Sequence, residues 1–146
     1  GLTGADPVRL RAALELHRGR ARSLKELAPM LLPYFQDQLL YDPEACAKFL
    51  KDPELPVHLA ALRDRYAQVE PFENGPLETE LRALADEKGL KAGALIHPTR
   101  MALTAAAGGP SLFHLVEVMG REATIRHLGH FIAFLRKGGE EVLHQD

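Results

Sequence analysis

Apolar residues recur at helical spacing along the whole chain, with no sustained period-two alternation rich in β-branched residues, so the pattern predicts an all-α fold. Asp6-Pro7 supplies a cap and a first-turn proline for a helix with Leu10, Ala13 and Leu14 on one side, weakening at Gly19. Ser23 followed by Glu26 reads as a capping box, in which the hydroxyl accepts a backbone amide and the carboxylate reaches back. The helix it heads carries Leu24, Leu27 and Leu31 and is expected to end at Pro33. Asp42-Pro43 and Asp52-Pro53 repeat the start signal for a short helix through Leu50 and a longer one through about Val69.

Residues 71–76, with F-E-N-G as a turn cluster, read as a linker. Beyond it Leu77, Leu81, Leu84 and Ala85 share one helical face that ends at Gly89. A short helix is expected over 91–97, broken by Pro98, with a new turn from Thr99 and a loop over 105–110. Leu112, Phe113, Leu115, Val116 and Met119 form the next apolar face, closed by Gly120. Ile125, Leu128, Phe131, Ile132 and Leu135 form the last, closed by Gly138, with a fraying polar tail beyond Gly139. The pattern divides the chain into two small helical lobes, residues 1–72 and 73–146.

Composition narrows the functional classes. The 146 residues are 46% hydrophobic, enough for a real core, and no apolar run approaches the roughly 18 residues of a membrane span. The start of the chain has no signal-peptide pattern. The single cysteine, Cys46, excludes an internal disulfide and reads as a buried thiol in a cytoplasmic protein. A net charge of −2 argues against a general nucleic-acid coat and against DNA, so any RNA contact is a local patch.

His127-Leu128-Gly129-His130 matches a nucleotide-binding tetrapeptide in letters only, because it falls inside a helical pattern and no βαβ unit surrounds it. Glycine-rich phosphate loops are missing, as is the G-x-S-x-G turn of a hydrolase. His127 and His130 have no Cys, Asp or Glu at ligand spacing beside them. The expectation is a chain with no catalytic residue, metal or cofactor of its own.

His17-Arg18-Gly19-Arg20-Ala21-Arg22 stands out against the acidic average. On residues alone it reads equally as a solvated helix end, where the dipole favours cations, or as a site where guanidinium forks meet a base or phosphate. Arg100 has the same two readings, and Leu112 and Phe113 read as core by spacing or as a stacking surface.

Four segments resemble, in order, the C-terminal anticodon-binding region of bacterial glutamyl-tRNA synthetases. R-A-R-S-L-K-E-L from Arg20 and Y-D-P-E-A-C-A-K-F-L from Tyr41 are similar to two family segments, as is L-F-H-L-V-E-V-M-G-R-E from Leu112. The run E-K-G-L-K-A-G followed by H-P-T-R-M-A-L-T, residues 87–104, is the most specific. The chain departs where the family's P-L-R reads P-T-R, where A-L-T-G reads A-L-T-A, and at Gly109, where a polar residue is common.

The resemblance implies an all-helical cage of two lobes that holds the anticodon loop of glutamate tRNA, standing apart from the catalytic domain of the same polypeptide. That domain would use ATP, magnesium and glutamate. The resemblance further implies Arg20, with Arg18 as alternative, as reader of the third anticodon base, and Arg82 and Arg100 as anticodon-loop contacts. His97, Gly109, Pro110, Leu112 and Phe113 would clasp the bases. The rival reading is a free-standing helical interaction module with an Arg-rich patch; a small metal-dependent helical enzyme is the third.

Overall fold

The computed structural model describes residues 6–139. Among these the elements are eight α-helices: α1 (Pro7–His17), α2 (Leu24–Leu31), α3 (Ala47–Leu50), α4 (Leu55–Tyr66), α5 (Asn74–Glu87), α6 (Gly93–Thr104), α7 (Leu112–Met119) and α8 (Arg121–Arg136). Two 3-10 turns, Arg18–Arg20 and Leu32–Tyr34, follow α1 and α2, and no strand is present among the described residues. The all-α expectation holds. The expected fraying beyond Gly139 lies outside the described residues.

Local side-chain caps set the starts of α1 and α2. The Asp6 carboxylate accepts the Val8 amide at 3.0 Å, and the Ser23 hydroxyl accepts the Glu26 amide at 3.3 Å. The Glu26 carboxylate reaches back one residue further than a standard box, to the Arg22 amide at 3.0 Å. Leu24 is 83% exposed rather than core, since the first turn of α2 projects past the bundle. Asp42 and Asp52 each cap a turn, accepting the amides of Glu44 and Glu54, and the helices proper begin only at Ala47 and Leu55.

Two predicted breaks are not breaks. Helix α6 runs unbroken through Pro98 to Thr104, because Leu95, Pro98, Met101, Ala102 and Leu103 are all buried and their packing outweighs the local cost of the proline. Helix α5 begins at Asn74, inside the predicted turn cluster. Its exposed N-terminal amide finds a distant acceptor: the Asn74 N–H and Nδ2 donate to the Glu117 carboxylate of α7 at 2.8 and 3.2 Å.

A single apolar cluster runs through both halves of the chain. Helix α8 packs on α4 and α6, α7 on α1 and α5. The Tyr41 hydroxyl donates to the Ala102 carbonyl at 2.6 Å, while its ring meets Phe131 edge-on at 4.8 Å. Tyr66 donates to the Leu77 carbonyl at 3.1 Å across the linker. Arg121 of α8 straps the linker down through the Val69 carbonyl, the Glu70 carboxylate at 2.6 Å and the Phe72 ring at 5.1 Å. Cys46 is fully buried, which pushes its thiol up to about 11 and makes it a small hydrophobe.

Candidate nucleic-acid interface

A cavity of about 290 Å³ opens where the end of α1 and the following 3-10 turn face the loop after α6. His17 and Arg20 form one wall, and Thr104 with the loop residues Gly108, Gly109 and Pro110 forms the other. Pro29 and Met30 of α2, Pro33 and Leu115 give it an apolar floor. Its size is at the small end of ligand clefts, and its mixture of apolar lining with a few converging polar groups is typical of them.

The loop owes its shape to α6. Ala105 ends the helix in the left-handed region at φ 57°, its amide donating to the Met101 carbonyl at 2.8 Å. Thr104 Oγ1 donates to the Arg100 carbonyl at 2.8 Å and accepts the Ala106 amide at 3.2 Å, turning the chain away from the helix axis. The half-buried Arg100 then donates from Nη1 to the Pro110 carbonyl, clamping the far end of the loop to the helix. Gly109 takes φ 150°, a conformation L side chains rarely adopt, and a Cβ there would lie 3.6 Å from Arg100 Nη1. Burial, and secondly the charge of Arg20, hold the Arg100 guanidinium below its ordinary range. One guanidinium, that of Arg20, thus lines the cavity, while that of Arg100 sits behind the loop on the Pro110 carbonyl.

Of the nine residues singled out from the sequence, Arg20, Gly109 and Pro110 line this cavity, with Arg100 bonded behind them. Leu112 and Phe113, 2% and 7% exposed, sit in the core at the start of α7. Arg18 points to solvent, 3.5 Å from Glu15. Arg82 pairs with Glu78 at 2.8 Å on the exposed face of α5. His97 is exposed and borders a separate hollow with Lys48, Phe49 and Asp52. His17, Met30 and Thr104 also line the cavity, and the sequence carries no signal for them beyond the position of His17 at the head of the arginine cluster.

The tetrapeptide at 127–130 lies within α8. His127 is fully buried, and its Nε2 lies 2.8 Å from the Pro33 carbonyl it donates to. Among the described residues no group of three or more His, Cys, Asp or Glu is placed to hold a metal ion, and no helix is long and apolar enough to cross a membrane.

The sequence profile of the anticodon binding domain matches residues 2–132. This chain belongs to that family. It is 46% identical over 130 residues to glutamate–tRNA ligase 2 of Koribacter versatilis, covering 88% of this chain and 27% of the relative. The glutamate–tRNA ligase of Roseiflexus castenholzii is 42% identical over 123 residues, covering 82% of this chain and 24% of the relative. A crystal structure of a glutamate tRNA ligase from Elizabethkingia meningosepticum, in complex with its amino acid, shares the fold with a TM-score of 0.79 at 24% identity. That match covers 90% of this chain and 26% of the solved one, so the chain spans about a quarter of the length of the proteins it resembles.

Proposed function

We propose that this anticodon-binding domain recognises the anticodon loop of glutamate tRNA for a glutamate–tRNA ligase, and that the unpaired bases enter the cavity between Arg20 and the loop over 104–110. The observation that carries this is the meeting of an arginine turn and a backbone-lined, proline- and glycine-shaped loop around an apolar floor. Splayed RNA bases are held by this combination: planar guanidinium forks and backbone groups read base edges while apolar surface covers the rings. Phosphate contacts position the loop, a role proposed for the exposed Arg18 and Arg82. His97 would serve at the separate hollow, and Leu112 and Phe113 would support the pocket from the core side.

In this reading glutamate activation, with its ATP and magnesium, belongs to a catalytic domain of the same cytoplasmic polypeptide. The chain alone carries recognition, in two lobes that meet near residues 72–73 over a common core. Purified chain is then expected to give no glutamate-dependent ATP–pyrophosphate exchange. Competition tests the reading directly: an anticodon stem–loop should displace bound glutamate tRNA, and an acceptor-stem minihelix should not. Equal displacement by both would favour the interaction-module alternative or generic charge attraction.

A further inference from the structure

Arg20 ends a three-residue 3-10 turn whose members are all exposed, and no side chain caps that turn. Something else must fix its direction. On the C-terminal side the Ser23 and Glu26 bonds lock the start of α2. On the N-terminal side stands His17, the last residue of α1, only 5% exposed although it lines the cavity beside Arg20. Its Nε2 lies 2.5 Å from the hydroxyl oxygen of Tyr34, and the two rings meet edge-on at 5.3 Å and 76°. Tyr34 is 1% exposed and belongs to the 3-10 turn after α2. The pair therefore joins the two ends of the segment that carries Arg20, and it does so at the cavity wall.

We propose that His17 and Tyr34 form a positioning pair that determines the base specificity of this cavity, by fixing the turn from which Arg20 reaches the base. The proposal rests on the anticodon reading above. Base-edge recognition depends on guanidinium placement at hydrogen-bond tolerance, whereas charge attraction to phosphates tolerates a mobile side chain. Burial and the nearby Arg20 hold the His17 imidazole below its usual range, and burial pushes the Tyr34 phenol well above its own. Both are neutral near pH 7, so the pair acts through a directional hydrogen bond and adds no charge for RNA to feel. Loosening it should blur discrimination while leaving most of the attraction.

The experiment compares wild type, Tyr34→Phe, His17→Leu and His17→Gln against two glutamate tRNA transcripts that differ only at the third anticodon base, at fixed salt. Circular dichroism at the binding temperature checks that each variant is folded. Tyr34→Phe and His17→Leu should reduce the preference for the correct base about fivefold, mainly by weakening the correct transcript. His17→Gln, which keeps a polar group toward Tyr34, should retain more of the preference than His17→Leu. Equal weakening of both transcripts, or an undiminished preference in folded Tyr34→Phe, overturns the pair while leaving the anticodon reading intact. Tyr34→Phe removes a single oxygen and decides the question where a His17 variant does not fold. A wild-type chain with no preference between the transcripts overturns the anticodon reading itself, and the pair with it.

Discussion

Arg20 and Arg100 have the same chemistry and different duties. Arg100 commits a donor to the Pro110 carbonyl and shapes the loop, while Arg20 is exposed at the cavity wall and can meet a ligand. If Arg20 reads a base, Arg20→Gln should cost about 1–3 kcal/mol with the correct base and shrink the penalty for a wrong one. Arg20→Lys should restore little of that discrimination, because an ammonium lacks the planar fork. Titration against transcripts differing at one base checks this; uniform weakening with lysine rescue would make Arg20 a phosphate anchor. His127 gives a prediction independent of RNA. Burial first, then Arg126 and His130, depress its imidazole to about 4 against the ordinary 6.5, although its bond to the Pro33 carbonyl and the nearby Asp37 pull the other way. Between pH 6.5 and 4 the unfolded chain binds a proton that the folded chain refuses, so stability should fall with pH across that window by about 3 kcal/mol. Denaturant titrations of wild type and His127→Gln should converge as pH drops from 6.5 to 4, and parallel curves would contradict the assignment. Arg20, Gly109 and Pro110, which the resemblance singles out, all line the cavity. The clamp from Arg100 and the partnership of His17 with Tyr34 were not legible in the letters, since each depends on a contact that only the fold creates.

Helix ends were legible wherever the cap is local, as at Asp6, Ser23 and the glycines after α5 and α8. They were illegible where the partner is remote: the start of α5 is held by Glu117, 43 residues on. The continuity of α6 through Pro98 belongs to the same class, decided by burial instead of by propensity. The end of α6 is the most testable of these features. Ala105 is the one described non-glycine residue with positive φ, and it stands where the resembling family carries glycine. A Cβ in the left-handed region costs roughly 1–2 kcal/mol, partly offset by the lower entropy of alanine in the unfolded chain. Ala105→Gly should therefore raise stability by about 0.5–1 kcal/mol, visible as a higher denaturation midpoint. A loss of stability there would mean that the alanine methyl contributes more by packing than its backbone costs.

In this mildly acidic chain the described residues form a helical body with Arg20 at its cavity, joined through one core that crosses the linker. The all-α fold was legible because helical periodicity persists along the chain. The shared core was not, because Tyr41, Tyr66 and Arg121 bind partners more than ten residues away in sequence. With a net charge of −2, tRNA affinity should rest on few phosphates and be about micromolar or weaker, with a shallow dependence on salt. Recognition of unpaired anticodon bases is the property on which the proposed function stands. Titrating the chain with glutamate tRNA and with the same transcript carrying an altered anticodon, at one salt concentration, separates base recognition from general attraction to RNA. Binding should be saturable and should weaken at least about fivefold when the anticodon is changed. Indistinguishable binding of the two transcripts would contradict the proposed function.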